Sequence, residues 1–144
     1  MHVAEVLHRK GNEVSKIRTV DTVDLAVHRL AEQRIGALVV VDRWGALAGM
    51  FSERDVLHGL ARHGIEIMQY EVHELMTPDV TTCTPEDRID DAMATMTAHR
   101  IRHLPVMEKD KIVGLVSIGD LVKFKLLEKE QEANVLRDIT LARL

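Results

Sequence analysis

Apolar positions in this chain follow two alternating periods, and the order of those periods occurs twice. Val23, Ala26, Val27 and Leu30 are spaced i, i+3, i+4, i+7, and so are Ile89, Ala92, Met93 and Met96. That spacing gives each segment one apolar helical face. Sliding the sequence against itself by 66 residues superimposes the two sets, the mark of an internal repeat. The match continues into Ala37-Leu38-Val39-Val40-Val41 and His103-Leu104-Pro105-Val106-Met107, short apolar runs that predict buried strands. Asp42-Arg43-Trp44-Gly45 and Glu108-Lys109-Asp110 predict hairpin turns, and the first is one residue longer, so the offset drops to 65. Second strands follow from Ala46 to Phe51 and from Lys111 to Val116, and helices then begin near Asp55 and Asp120.

Each half also carries a short apolar lead-in, Val3 to Leu7 and Val72 to Met76, and then a strand entered at Val14 or Val80. Thr84-Pro85-Glu86-Asp87 predicts the start of the second half's first helix, with Thr84 as N-cap and Pro85 at the first helical position. Thr19-Val20-Asp21 opens the first half's helix less clearly. The resulting unit is strand, helix, strand, strand, helix. At roughly sixty residues it buries a core poorly alone, so the two copies are expected to pack as one body. The fold class is α/β (α+β): one β-α-β-β-α unit with its lead-in and linker in 1–70, a second in 71–127, and a helical extension over 128–144. His63 to Tyr70 reads as a linker with a helical turn. Beyond Asp120 no Pro or Gly interrupts the chain, and Leu121, Phe124, Leu127, Gln131, Val135, Asp138, Leu141 and Leu144 form an imperfect stripe on a continuous helix.

Composition narrows the function classes. The chain has 144 residues and a net charge of −4, a balance that argues against coating nucleic acid or an anionic membrane. One Trp, one Tyr and two Phe leave little for base stacking. No run approaches a membrane span and the N-terminal stretch lacks a signal-peptide core. The single Cys83 excludes an internal disulfide framework and suits a reducing interior. A soluble cytoplasmic protein is the expectation.

No catalytic motif is present. Neither Ser of interest lies in Gly-x-Ser-x-Gly, no Gly-Lys-Ser/Thr phosphate loop occurs, and nothing surrounds Cys83 that would make it a nucleophile. Among eight His, His99 and His103 have helical spacing but Leu104-Pro105 ends the helix there, so no metal set is expected. What repeats instead is a phrase at the strand-to-helix junction: Gly49-Met50-Phe51-Ser52-Glu53-Arg54-Asp55 returns as Gly114-Leu115-Val116-Ser117-Ile118-Gly119-Asp120. A Ser followed three residues later by an acid is an ordinary helix cap. Two copies at corresponding places in a repeat also describe a site used twice.

This ordered repeat, with Gly-apolar-x-Ser-x-x-Asp closing each copy and Arg-Ile-Arg-His-Leu-Pro-Val at the second helix-to-strand junction, resembles the CBS domain pair, or Bateman module, from about Val3 to Leu127. The resemblance implies a non-catalytic regulatory module whose domains pack about a pseudo-two-fold axis. Its inter-domain clefts would bind AMP, ADP or ATP, with S-adenosylmethionine, a dinucleotide or a ligand-free scaffold as alternatives. It carries the ribose role to Asp55 and Asp120, and the hydroxyl beside ribose and phosphate to Ser52 and Ser117. Basic phosphate contacts fall on Arg102, His103 and Arg54. Adenine contacts fall on Thr77, Val80, Thr81 and Ile101 in the second half and on Val14, Ser15 and Ile35 in the first. It further implies a homodimer and an unidentified effector protein. The halves are not equal: Gly36, Ala37 and Val39 stand in the places of Arg102, His103 and Pro105, Gly119 in that of Arg54, and His8 to Glu13 where the second half has Thr77-Pro78-Asp79.

Overall fold

The computed structural model describes residues 1–143. Its elements are α1 (Val3–Lys10), β1 (Lys16–Arg18), α2 (Val23–Gln33), β2 (Ala37–Val41), β3 (Leu47–Ser52), α3 (Glu53–His63), two 3-10 segments (Gly64–Gln69 and Val72–Glu74), α4 (Ile89–His99), β4 (His103–Glu108), β5 (Lys111–Ser117) and α5 (Ile118–Ala142). The mixed α/β class and the twofold strand-helix unit are those the sequence pattern predicts. The repeat extends to detail. Both hairpins are antiparallel and bulge at corresponding places, Val40/Val41 and Val106/Met107. Both α2 and α4 end on an Arg in the left-handed region, Arg34 and Arg100, each with φ 54°.

The lead-ins are exchanged between the halves. Val3, Val6 and Leu7 of α1 lie in one core with Ile89, Met96, Leu104, Val116 and Leu121. Val72 of the second lead-in, with Leu75 and Met76 packed beside it, and Ile67 of the linker lie in the other core with Ile17, Val23, Leu38 and Phe51. The backbone bonds are reciprocal. Val3 N–H donates to the Asp87 carbonyl at 2.8 Å and Ala4 N–H to Pro85 at 2.9 Å, while Val72 donates to Asp21 at 2.8 Å and His73 to Thr19 at 3.1 Å. These bonds satisfy N–H groups that the first turn of any helix leaves without internal partners. Such paired contacts are what a pseudo-two-fold arrangement requires.

Three expectations need correction. First, Thr84 does not cap α4. The helix starts at Ile89 after Arg88, and Thr84 to Asp87 is a turn closed by Thr84 N–H on Asp87 Oδ2 at 2.9 Å. Its carbonyls face α1 and receive that helix's N–H groups, so tertiary pairing overrides the local start signal. Second, strands do not enter at both Val14 and Val80. β1 spans Lys16–Arg18, parallel to β2, but its counterpart shrinks to a bridge between Cys83 and Val106. Val39 N–H donates to the Ser15 carbonyl at 3.0 Å. Pro105 occupies the equivalent place and has no N–H to give, so the ladder loses a bond there. Third, residues 63–70 are more than a linker, because Ile67 is fully buried.

The long helix α5 is continuous, as expected, but its stripe divides. Leu121 and Phe124 are buried, whereas Gln131, Val135, Asp138 and Leu141 are exposed; Leu144 lies outside the described residues. No described helix is long and apolar enough to cross a membrane.

The exchange depends on two close approaches. A Cβ at Gly114 would stand 2.5 Å from Leu7 Cδ2, and one at Gly49 would stand 2.7 Å from Met76 Sδ and 2.8 Å from the Thr77 carbonyl. Leu7 and Met76 are flexible ends, but Thr77 is fixed by two 2.9 Å backbone bonds to Met50. Gly49→Ala is therefore expected to destabilise more than Gly114→Ala, within the ~1–3 kcal/mol of overpacked cores. Urea unfolding of both variants measures this, and an equal or reversed order would contradict it.

Candidate functional site

Each repeated phrase sits where a strand ends at the seam between the halves. β3 ends at Ser52, whose extended backbone makes it the N-cap of α3 with Asp55 at N3. Asp55 Oδ2 accepts from Ser52 N–H at 2.9 Å and from the Ser52 hydroxyl at 3.3 Å. Its other oxygen accepts from Thr77 Oγ1 at 3.2 Å, so the second half supplies a wall of the first half's cleft. The antiparallel bridge between Met50 and Thr77 holds that wall in place. Arg54 reaches the other half: its Nη1 donates to the Arg100 carbonyl at 3.3 Å, one of the terminal carbonyls of α4.

The second cleft has the same frame and a different charge. Asp120 Oδ2 accepts from Ser117 N–H at 2.9 Å, and Asp120 N–H donates to Ser117 Oγ at 3.1 Å. Where Asp55 meets a hydroxyl, Asp120 meets Lys10, whose ammonium lies 2.6 Å from Oδ2 and 2.6 Å from the Leu115 carbonyl. Sequence reasoning missed Lys10 as a site residue. The signal was the longer stretch His8 to Glu13, which carries a cation from the end of α1 to the place Thr77 holds in the other cleft. Burial alone would raise the Asp120 pKa, but the Lys10 hydrogen bond, the Ser117 donors and the Lys10 charge outweigh it and hold the carboxyl below its ordinary range.

His103 pairs with Ser117 across β4 and β5 and is half-buried. A Cβ on Gly36 would lie 3.3 Å from its Cε1, so the imidazole rests against the opposite half. Burial first, and then the Lys10 charge, lowers its pKa, with Asp120 and Glu53 pulling the other way. Arg102 is exposed, and its carbonyl accepts from Ile118 N–H at 2.8 Å. The remaining residues lie behind these groups. Ile35 packs on the first core and Ile101 on the second. The Ser15 hydroxyl donates to Gln33 Oε1. Val14, Val80 and Thr81 are half-buried on the segments leading into β1 and Cys83. Among the described hydrogen bonds, none joins Ser15 or Thr81 to Asp55 or Asp120. Two surface hollows of about 260 and 490 Å³ lie elsewhere, beside β1 and along α5.

Cys83 is buried and free. Burial, with the charge of Asp87 adding, pushes its thiol up to about 12, which suits a packed core residue and not a nucleophile.

A family model describing the CBS domain matches residues 3–62 and again 72–126. The chain belongs to the CBS-domain family. It is 36% identical over 138 residues to the CBS domain-containing protein CBSX3, mitochondrial, of Arabidopsis thaliana, covering 90% of this chain and 67% of that one. Over 128 residues it is 28% identical to the CBS domain-containing protein YhcV of Bacillus subtilis, covering 89% of each. The crystal structure of the CBS-domain containing protein ATU1752 from Agrobacterium tumefaciens superposes with a TM-score of 0.83 at 37% identity, over 85% of this chain and 91% of that one. The CBS domain pair of protein MJ0100, solved with 5′-methylthioadenosine and S-adenosyl-L-methionine, shares the fold, with a TM-score of 0.79 at 22% identity over 89% and 98%.

The depressed His103 pKa sets a pH dependence. A histidine held neutral by the fold contributes stability that is complete above its unfolded pKa, about 6.5, and is lost as pH falls through the lower folded value. Asp120 stays ionised in both states over most of that window, because its unfolded pKa is near 4. Between pH 8 and pH 5.5 the wild-type chain should lose more unfolding free energy than His103→Gln. Chemical denaturation at the two pH values checks this, and parallel losses would refute the assignment.

Proposed function

We propose that this CBS pair is a non-catalytic regulatory module that binds adenosine nucleotides, AMP, ADP or ATP, in its seam clefts and signals to another protein. The observation that carries the reading is that Asp55 and Asp120 each sit at N3 of a helix, at the seam, touching a residue of the other half. A carboxylate accepts both hydrogens of a ribose cis-diol, and helix N-terminal N–H groups favour a phosphate. Lys10, in contact with Asp120, and His103, opposite Ser117 in the hairpin, are basic residues at the second cleft, and Arg102 adjoins His103. The adenosine moiety common to both MJ0100 ligands supports the same chemical class. S-adenosylmethionine and a dinucleotide are the other members of that class, and no cofactor is obligatory for the fold.

The caps also favour a second reading. Since Ser117–Asp120 forms a complete capping box and Asp55 accepts from Ser52 N–H, a chain without any ligand would keep these contacts, as a scaffold for protein interaction would. A ligand held across the seam can move the halves only through its differential affinity for two arrangements. The effector is then another protein, reached through the outer helices or the exposed end of α5. A homodimer fits the apolar groups that α3 and α5 leave uncovered, with Leu57 and Leu126 each 65% exposed. We place the protein in a reducing cytoplasmic compartment, on the strength of its one buried free thiol.

Thermal unfolding separates the readings. AMP, ADP or ATP should raise the melting temperature, with about 2.7 kcal/mol of stabilisation at a hundredfold excess over the dissociation constant. Asp55→Asn combined with Asp120→Asn should abolish the rise while leaving the unliganded chain folded. No shift with any adenosine compound at millimolar concentration would leave the scaffold. Light scattering checks the dimer: Leu57→Asp with Leu126→Asp should halve the mass, and a wild-type monomer would exclude it.

A further inference from the structure

We propose that Lys10 makes the cleft at Asp120 selective for phosphorylated adenosine compounds, while the cleft at Asp55 accepts a ribose whether or not a phosphate follows it. The inference rests on the adenosine reading above and assigns to each cleft the charge its ligand must carry. The two carboxylates are equivalent in the repeat and differ in what already holds them. Among the described residues, Asp55 receives only neutral donors, from Ser52 and Thr77. Asp120 receives the Lys10 ammonium at 2.6 Å, with Lys10 and Asp120 side chains 32% and 26% exposed. The pair is therefore open to solvent on one side and enclosed on the other.

A cis-diol that uses both oxygens of Asp120 meets Lys10 at Oδ2, which also accepts from Ser117 N–H, while Oδ1 has no hydrogen bond among those described. Displacing the lysine without replacing its counter-charge leaves an ammonium at the seam with one further acceptor, the Leu115 carbonyl, beside an imidazole whose protonation burial disfavours. A partly enclosed cation without a partner is costly. A phosphate removes that cost. The flexible four-carbon stem of lysine lets the ammonium swing from Asp120 to a phosphate on the same ligand, so carboxylate and ammonium both stay paired, one with the diol and one with the phosphate. Arg102, close enough to His103 to act on it electrostatically, favours the same sign of charge, and the neutral imidazole can donate one hydrogen bond. Neutral adenosine offers Lys10 no anionic partner and must compete with it for Asp120. At Asp55 no described residue makes an ion pair with the carboxylate, and no cation has to be displaced.

Asp55→Asn in the full chain isolates the Asp120 cleft, because the amide keeps the cap while weakening the diol site. Calorimetric titration with AMP and with adenosine should then give AMP an advantage of about tenfold or more, the worth of a charge-assisted contact. Adding Lys10→Met should close the gap from both sides, with adenosine binding tighter and AMP weaker. An unchanged AMP to adenosine ratio, or equal weakening of both, overturns the proposal, since loss of mere packing would act on both alike. A readout that leaves Lys10 intact guards against a misfolded variant: millimolar inorganic phosphate should tighten adenosine binding to the Asp55→Asn chain, and no effect counts against the role. If wild type binds AMP but the Asp55→Asn chain binds neither compound, the proposal fails and the adenosine reading stands. If wild type binds neither, the adenosine reading itself fails.

Discussion

The structure depends on a trade between its halves. Neither repeat completes its core with its own sequence: α1 fills the second core, and the segment around Ile67 and Val72 fills the first. The contact is tight enough that only glycine fits beneath Leu7 and Met76, at Gly114 and Gly49. Those glycines open the two repeated phrases. The same residues that admit the exchanged lead-in thus fix the strand ends from which Ser52 and Ser117 start their helices. Packing and site geometry are set at the same two close approaches.

From that trade comes the make-up of each cleft. Because a lead-in crosses to the opposite half, the residues just after it, Lys10 and Thr77, arrive beside the other repeat's carboxylate. A pseudo-symmetric chain is free to change one member of such a pair without disturbing the other. Here it places an ammonium at one carboxylate and a hydroxyl at its equivalent. Pro105 breaks the symmetry a second time by removing one ladder donor, which leaves the stretch from Val80 to Thr82 outside any strand. Both departures fall in the second core's neighbourhood, and both concern groups facing the seam.

Much of the fold was legible because it rests on local periodicity. The helical spacing of Val23 to Leu30 and Ile89 to Met96, the hairpin turns and the strand-to-helix phrases each carry their signal within a few residues. The errors arose where a distant segment decides the outcome. Thr84-Pro85 has the chemistry of a helix start, yet α1 binds its carbonyls and α4 begins at Ile89. The short strand at Val80 fails for want of one N–H on Pro105, a residue visible in the sequence whose effect depends on knowing its pairing partner. Ser52, Asp55, Ser117 and Asp120 could be chosen from spacing alone, and family resemblance brought Thr77 and His103. Lys10 had only the unlike lead-in, His8 to Glu13 against Thr77-Pro78-Asp79, to point to it. The hydrogen bond from Lys10 to Asp120 spans 110 residues, and no periodicity connects positions that far apart.

The exchange also bears on how the chain acquires its structure. α1 leaves the ribosome well before the strands and helices that form its pocket, so it must wait, exposing Val3, Val6 and Leu7 or fraying, until the second repeat emerges. Contacts of such long range carry a large loop-closure cost and slow folding. The first repeat needs only the segment that follows it and can close sooner, with Ile67 and Val72 at hand. Folding in the cell would then run from the first core to the second, and the last event would be the docking of α1, which brings Lys10 to the seam. The cleft that carries the ion pair is in this order the last part of the molecule to exist.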